Sequence, residues 1–326
     1  MAFEEHDLAA RPIRDLGLRI EGTPLEPVAA AFLAEVDGLG LPFRPRLYLS
    51  TEWGVPMGTI AIAIPFYLAR PELAELHTQR TGHLEGHSPA DILRYLRHEM
   101  GHVLNYAYRL YEEPAWTAAF GAFTQPYLDE YRPEPFSRRF VRHLPGWYAQ
   151  KHPDEDWAET FAVWMTPRRD WRTEYAAWPD ALAKLELCDR MVSGLRGRTP
   201  ALADDELDED VGELGYTLRD YYAGLSSDAP DEVPGLDGAL RSVFDEAGED
   251  GRPAGEVIAL LAPSIIDSVF RWTGHFPEKT RALLIHLEGR ARALELVGTA
   301  PRTAVALTAL VTALAMNHVV KGRYLP

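Results

Sequence analysis

Two histidines four residues apart, with a glutamate after the first, are the residues whose spacing could do chemistry. They lie in the stretch His98-Glu99-Met100-Gly101-His102. Residues four apart project from nearly the same face of an α-helix, so the two imidazoles could take neighbouring corners of a zinc tetrahedron. Glu99 would lie beside them, within reach of a water molecule on the metal. The pattern therefore predicts a zinc site with His98 and His102 as ligands and Glu99 as general base.

The alternative interpretation is an amphipathic helix that carries two histidines and no metal. The residues before the motif favour a well-formed helix, because Ser88 can cap it, Pro89 suits its first turn and Asp91 follows three residues after the cap. Gly101 is unfavourable inside a helix by about 1 kcal/mol relative to alanine. It indicates either close approach of another segment beside the histidines or a glycine needed only for packing. The sequence leaves both open.

A catalytic zinc site needs a third protein ligand and one open position. No histidine lies six residues after the second one of the motif, so the ligand has to come from elsewhere. The best source is a second predicted helix, 153–166, where Glu155 and Glu159 share a face. An acid in the first turn favours the helix dipole without any metal, whereas a buried acid in mid-helix needs a cation or hydrogen-bond donors. We expect at least one of the two to serve the site, with His143 and His152 as alternative ligands or transition-state donors.

The motif together with the sequence E-D-W-A-E-T-F-A over 155–162 resembles the gluzincin class of zincins. In particular it is similar to bacterial zinc-binding metallopeptidases with an HExGH signature, over about residues 47–185. The resemblance implies that Glu155 is the third ligand of a single Zn²⁺ ion and that Glu159 supports the ligands. It also implies that Tyr148, seven residues before the ligand, stabilises the oxyanion, and that the catalytic domain is zincin-like with a small antiparallel sheet.

Hydrophobic periodicity predicts a predominantly helical α+β protein in three parts. The zincin-like metallopeptidase domain is predicted over 1–195, an acidic, Gly/Pro-containing linker over 196–255, and a C-terminal helical bundle over 256–326. Further predicted elements are a helix over 24–37, an edge strand over 58–66, a short helix near 218–225 inside the linker, and bundle helices over 256–272, 278–296 and 302–320.

Composition argues against several other classes of protein. The net charge of −16 argues against a nucleic acid or an anionic membrane as the main partner. Cys188 is the single cysteine, so the chain can form neither an internal disulfide nor an all-cysteine zinc site. The first twenty residues hold no apolar segment of signal-peptide length, and the longest apolar run, 304–316, is short for a membrane span. We therefore expect a soluble, cytoplasmic protein.

These features predict a zinc metallopeptidase that hydrolyses a peptide bond. Glu99 would take a proton from the attacking water and pass it to the leaving amine, and Tyr148 would donate a hydrogen bond to the oxyanion. The strand over 58–66 could pair with an extended peptide or protein substrate. Two alternatives stay open: a zinc-binding interaction protein without activity, and a zinc amidase that acts on a non-protein amide.

Overall fold

The computed structural model describes residues 8–128, 131–202, 206–225, 233, 235–246 and 251–325, without the side chains of 300–302. The chain divides into two compact units. The first unit consists of Met1–Leu76, Glu85–Leu144 and Tyr148–Ala223, and the second of His77–Leu84, Pro145–Trp147 and Gly224–Pro326.

Helices dominate the described residues, as the sequence predicts. The α-helices in chain order are α1 (Leu25–Asp37), α2 (Pro71–Thr81), α3 (Pro89–Ala107), α4 (Pro114–Phe120), α5 (Pro153–Met165), α6 (Trp171–Glu174), α7 (Pro179–Ser193), α8 (Leu218–Gly224), α9 (Leu236–Val243), α10 (Ala254–Thr273), α11 (Pro277–Ala293) and α12 (Ala300–Lys321). The strands are β1 (Arg46–Ser50), β2 (Ala61–Pro65), β3 (Asp245–Glu246), β4 (Arg252–Pro253) and β5 (Leu296–Gly298). Short 3₁₀ helices span Ile13–Leu16, Phe66–Ala69, Leu110–Glu112 and Pro145–Gln150.

The helix α3 begins where the sequence predicts. The hydroxyl of Ser88 accepts a hydrogen bond from the backbone N–H of Asp91 at 3.2 Å, and Pro89 occupies the first turn, where its missing N–H costs nothing. The apolar side chains of α3, among them Leu96 and Met100, are buried in the first unit. This burial fixes the rotation of the helix, and with it the direction in which the histidines of the motif project.

The helix α5 packs against α3 at a point where both helices carry small residues. A Cβ atom on Gly101 would lie 2.7 Å from Cα of Ala158 and 3.2 Å from its Cβ. At the same place, Nε1 of Trp157 donates a hydrogen bond of 2.8 Å to the carbonyl of Gly101. Another segment therefore does approach closely at Gly101, and the contact that it makes there is a packing contact between two helices.

The sheet of the first unit is parallel, so the expectation of a small antiparallel sheet in this domain is wrong. β1 and β2 pair from Arg46↔Ala61 to Ser50↔Pro65. The reason is the connection over 51–60, which carries the chain back to the start of β1 before β2 begins. The connection also bridges β2 in the antiparallel sense, because the carbonyl of Gly54 accepts the N–H of Ala63 at 2.8 Å.

The described residues of 196–255 are divided between the two compact units, whereas the sequence predicts a separate linker there. Up to Ala223 this segment belongs to the first unit, and from Gly224 onward it belongs to the second. Within the first unit, the N–H of Val211 donates to the carbonyl of Leu49 at 3.0 Å, and Val211 is buried. The exposed acidic residues of the segment are interleaved with apolar ones such as Val211 that pack, and composition alone does not separate these two faces.

The C-terminal unit contains α9, the sheet β3-β5-β4, which is antiparallel, and the three long helices that the sequence predicts. Observed as α10, α11 and α12, these helices share one core. Its fully buried members include Val257, Ile258, Val269, Leu283, Leu287, Leu307, Val311 and Leu314. The helix α9 was not predicted, since it lies in the segment read as a linker.

In α12, Thr303–Lys321 is long and apolar enough to cross a membrane, and 33% of this window is buried. The apolar run over 304–316 extends to this length because the uncharged Asn317 and His318 continue it. Leu307 and Leu314 lie in the core of the unit. Core helices of soluble proteins pass the same test of length and composition, so a single helix of this kind is weak evidence for a membrane span.

The crossing of α3 and α5 predicts that Gly101→Ala destabilises the protein. The added methyl group would meet the backbone of Ala158, so the helices have to separate, at a cost of about 1–3 kcal/mol. Gly289→Ala is the matched control, because Gly289 lies in α11 with no atom within 4 Å of an added Cβ. Gly289→Ala should raise the free energy of unfolding by up to about 1 kcal/mol. Urea denaturation of both variants measures the difference, and equal stability would contradict the close crossing.

Candidate metal centre

The helices α3 and α5 bring together His98, His102 and Glu155, all three buried. The Nε2 atoms of His98 and His102 are 3.1 Å apart. Oε2 of Glu155 lies 3.0 Å from Nε2 of His98 and 3.4 Å from Nε2 of His102. In a zinc tetrahedron with bonds of about 2.0–2.1 Å, neighbouring ligand atoms are about 3.3 Å apart. These three atoms therefore have the spacing of three corners of such a tetrahedron.

Oε2 of Glu155 is the atom that points most directly to a bound cation. It is buried and accepts no hydrogen bond from the residues that the structure describes, although both histidine Nε2 atoms lie within ion-pair distance. A buried carboxylate oxygen without a donor is costly. The residues present fit a metal ion, since a cation held between the three atoms would satisfy all of them.

His98 is oriented from behind by Glu159. Its Nδ1 lies 2.9 Å from Oε1 of Glu159, and Oε2 of the same carboxylate accepts the backbone N–H groups of His143 and Leu144 at 3.2 and 2.9 Å. With the ring held in this way, Nδ1 carries the proton and Nε2 faces the centre. The structure thus places Glu159 in contact with one of the two histidines that could hold a metal ion.

His102 is oriented by Asp154, which the sequence alone did not single out as a site residue. Nδ1 of His102 lies 3.0 Å from Oδ2 of Asp154, and this carboxylate also accepts from the amide of Asn105 at 2.6 Å and from the hydroxyl of Tyr106 at 2.5 Å. A signal existed in the sequence. Asn105 and Tyr106 follow His102 by three and four residues, so they share its helical face and require a polar partner there.

Glu99 is buried beside the two ligand histidines on α3. Burial raises the pKa of Glu99, and the positive His98 and His102 imidazoles act against this rise. A general base in a hydrolase works best when its pKa is raised toward the working pH. The position and environment of Glu99 are therefore those of a candidate proton acceptor.

Tyr148 lies next to His98, with the two ring centroids 5.6 Å apart. It follows Gly146 and Trp147, whose φ angles are +79° and +62°. For a tryptophan this left-handed conformation costs on the order of 1–3 kcal/mol, and such strain is found preferentially at functional sites. Tyr148 thus follows directly on a strained turn.

The two alternative histidines are engaged elsewhere. Nε2 of His143 lies 2.9 Å from the carbonyl of Arg94. The Nδ1 atom of His152 caps α5 by accepting the backbone N–H of Asp154 at 3.1 Å. Neither belongs to the group of described side chains that could hold a metal.

The carboxylates around the two histidines favour the protonated form of each imidazole. Burial alone lowers the pKa of His98, but the carboxylates of Glu155 and Glu159 outweigh it and raise this pKa to about 9. Burial likewise opposes protonation of His102, yet Asp154 and Glu155 raise its pKa well above the usual range. In turn, the pKa of Glu155 falls well below its usual value, because the His102 and His98 imidazoles outweigh the effect of burial.

Comparisons of the chain with family models, with curated proteins and with solved structures give no match. The resemblance to zinc-binding metallopeptidases therefore rests on the motif residues and on the geometry of the site.

The contact between Asp154 and His102 predicts that Asp154→Asn weakens zinc binding by roughly 10–100-fold, as loss of a carboxylate behind a ligand histidine does. Asp180→Asn is the matched control, because Asp180 also follows the first proline of a helix but is exposed. It should leave the zinc affinity unchanged. Competition titrations against a chromophoric chelator measure both, and equal affinities in the two variants would contradict the role of Asp154.

Zinc binding should release protons. Because the surrounding carboxylates raise the pKa of His98 to about 9 and also raise the pKa of His102, protons compete with a metal for this pair of imidazoles, and the apparent metal affinity should rise with pH. Isothermal titration calorimetry at pH 7 in two buffers of different ionisation enthalpy measures the number released. Identical heats in both buffers would show that the imidazoles are already neutral.

Proposed function

We propose that this protein is a zinc metallopeptidase that hydrolyses peptide bonds, and that it works as a soluble, cytoplasmic enzyme. The observation that carries the proposal is the triangle of His98 Nε2, His102 Nε2 and Glu155 Oε2, with the last atom buried and without a donor. Two imidazoles and one carboxylate are a set found at catalytic zinc sites, which keep a fourth position for water or substrate.

Zinc bound by this set would polarise the substrate carbonyl and lower the pKa of water. The protein would supply the proton transfers. Glu99, adjacent to His98 on α3, would accept a proton from the attacking water and return it to the leaving amine. Its burial favours this function, because a carboxylate that is poorly solvated holds a proton more readily than an exposed one.

Tyr148 would stabilise the charge that develops on the carbonyl oxygen. Burial raises the pKa of Tyr148 well above its usual value, and the negative charge of Glu155 adds to this. Its hydroxyl therefore stays protonated at neutral pH and can donate a hydrogen bond. Removing one such donor typically lowers turnover by roughly 10²–10³-fold.

We propose that an extended peptide substrate adds to the outer edge of β2, within the predicted strand over 58–66. One condition follows from the fold. The carbonyl of Gly54 already accepts the N–H of Ala63, and Pro65 has no N–H to offer. All five residues of β2 are buried, so the substrate would have to displace what covers this edge, including the loop that carries Gly54.

Two other functions share the metal site. An inactive zinc-binding protein would have no use for Glu99, a buried carboxylate beside the ligands, so the presence of this residue favours the enzyme. An amidase for a non-protein substrate would use the same residues in the same roles, and only a test of substrates separates it from a peptidase.

The decisive variant is Glu99→Gln. The amide has nearly the same shape but cannot accept a proton at neutral pH, so hydrolysis should be abolished while zinc content and fold stay unchanged. His98→Ala should lose zinc and activity together, and Glu72→Gln, in the first turn of α2, is the control. Zinc content and cleavage of an internally quenched peptide library would be measured. Equal hydrolysis by the wild type and Glu99→Gln would contradict the mechanism, and cleavage of N-acyl amides alone would identify an amidase.

A further inference from the structure

The two oxygens of the Glu155 carboxylate have different surroundings. Oε2 faces the Nε2 atoms of His98 and His102, whereas Oε1 accepts a hydrogen bond from the hydroxyl of Tyr127. Sequence reasoning did not single out Tyr127. It lies outside α5, 28 residues before the ligand, in a segment without regular secondary structure.

The direction of this hydrogen bond follows from the chemistry of its partners. The ionised Glu155 carboxylate can only accept, so the single proton of the Tyr127 hydroxyl is directed at Oε1. The hydroxyl of Tyr148 lies 3.4 Å from that of Tyr127. Since the proton of Tyr127 is already used, Tyr148 is the donor in this second contact, and the three groups form a chain from Tyr148 through Tyr127 to Glu155.

The ring of Tyr127 is held in place by its neighbours. The ammonium group of Lys151 lies 4.4 Å from the centroid of the ring, and the His152 ring lies 5.2 Å from it. A cation over an aromatic face at this distance is attracted to it. The Tyr127 side chain is 50% exposed, so the hydroxyl can be removed without opening the core.

A carboxylate can bind a metal through one oxygen or through both. In a catalytic site the second mode would add a further ligand and crowd the coordination position that water or substrate needs. We propose that Tyr127 is a positioning residue that holds Oε1 of Glu155 away from the metal, so that this ligand binds through Oε2 alone and the fourth position stays open. The proposal rests on the proposed function, because it requires a metal between His98, His102 and Glu155.

The test replaces zinc by Co²⁺, whose visible absorption is intense in four-coordinate sites and weak in five-coordinate ones. Tyr127→Phe should convert an intense spectrum into a weak, shifted one, because Oε1 is released and can join Oε2 on the metal. The zinc affinity of the variant should also fall by roughly 10–100-fold.

Tyr111→Phe is the matched control. Tyr111 stacks on Phe123 with ring centroids 4.3 Å apart, and its hydroxyl contacts Arg109 rather than a ligand. Its cobalt spectrum and zinc affinity should equal those of the wild type. Thermal unfolding of both metal-free variants checks that the fold is retained.

The possible outcomes separate the positioning role of Tyr127 from the proposed metal site itself. A Tyr127→Phe protein with the spectrum of the wild type overturns the positioning role and leaves the metal site intact. Weaker binding with unchanged coordination also overturns it, because Tyr127 would then act only as a hydrogen-bond donor. A wild-type protein that binds neither Zn²⁺ nor Co²⁺ overturns the proposed function and the role of Tyr127 together.

Discussion

The backbone contact between α3 and α5 is the constraint on which the metal centre depends. Gly101 and Ala158 let the helices approach so closely that a Cβ on the glycine would lie 2.7 Å from the neighbouring Cα. At this separation, side chains on α5 reach imidazoles on α3. Distances of 3.0–3.4 Å between Glu155 and the histidine Nε2 atoms leave room for metal bonds of about 2.1 Å and little else. If α3 and α5 crossed at a greater separation, these distances would lengthen and the three atoms could no longer bind one metal ion.

Buried carboxylates on a short helix are costly when they stay unpaired. Of the four on α5, Asp156 pairs with Lys184, and the other three lie around the histidines. Asp154 accepts from Asn105 and Tyr106 and contacts His102. Glu159 contacts a ligand histidine and two backbone N–H groups. Glu155 has a donor for Oε1 but none for Oε2 among the described residues. Among the oxygens of Asp154, Glu155 and Glu159, Oε2 of Glu155 alone accepts no hydrogen bond from the described residues, and it faces two imidazoles.

Structural features that depend on residues close together along the chain can be predicted from the sequence. The cap at Ser88, the shared face of His98 and His102, and the bundle helices depend on spacing along the chain, and the structure contains them. The parallel pairing of β1 with β2 depends instead on the path of the residues between them. An acid in the first turn of a helix, such as Asp154, is accounted for by the helix dipole, and its contact with His102 follows only from the crossing of two helices. Tyr127 had no signal, because a phenol in an irregular segment acquires its role from tertiary structure alone.

The hydrogen bonds from Tyr148 to Tyr127 and from Tyr127 to Glu155 bear on whether Tyr148 could act as the proposed donor to an oxyanion. At 3.4 Å, the contact between the two hydroxyls is at the long limit of a hydrogen bond and therefore weak. A bond to a developing negative charge is roughly twice as strong as one between neutral groups. If Tyr148 turned its proton from Tyr127 to a substrate oxyanion, it would therefore lose a weak hydrogen bond and form a stronger one. Tyr127 cannot make the same exchange, since its proton already serves a carboxylate.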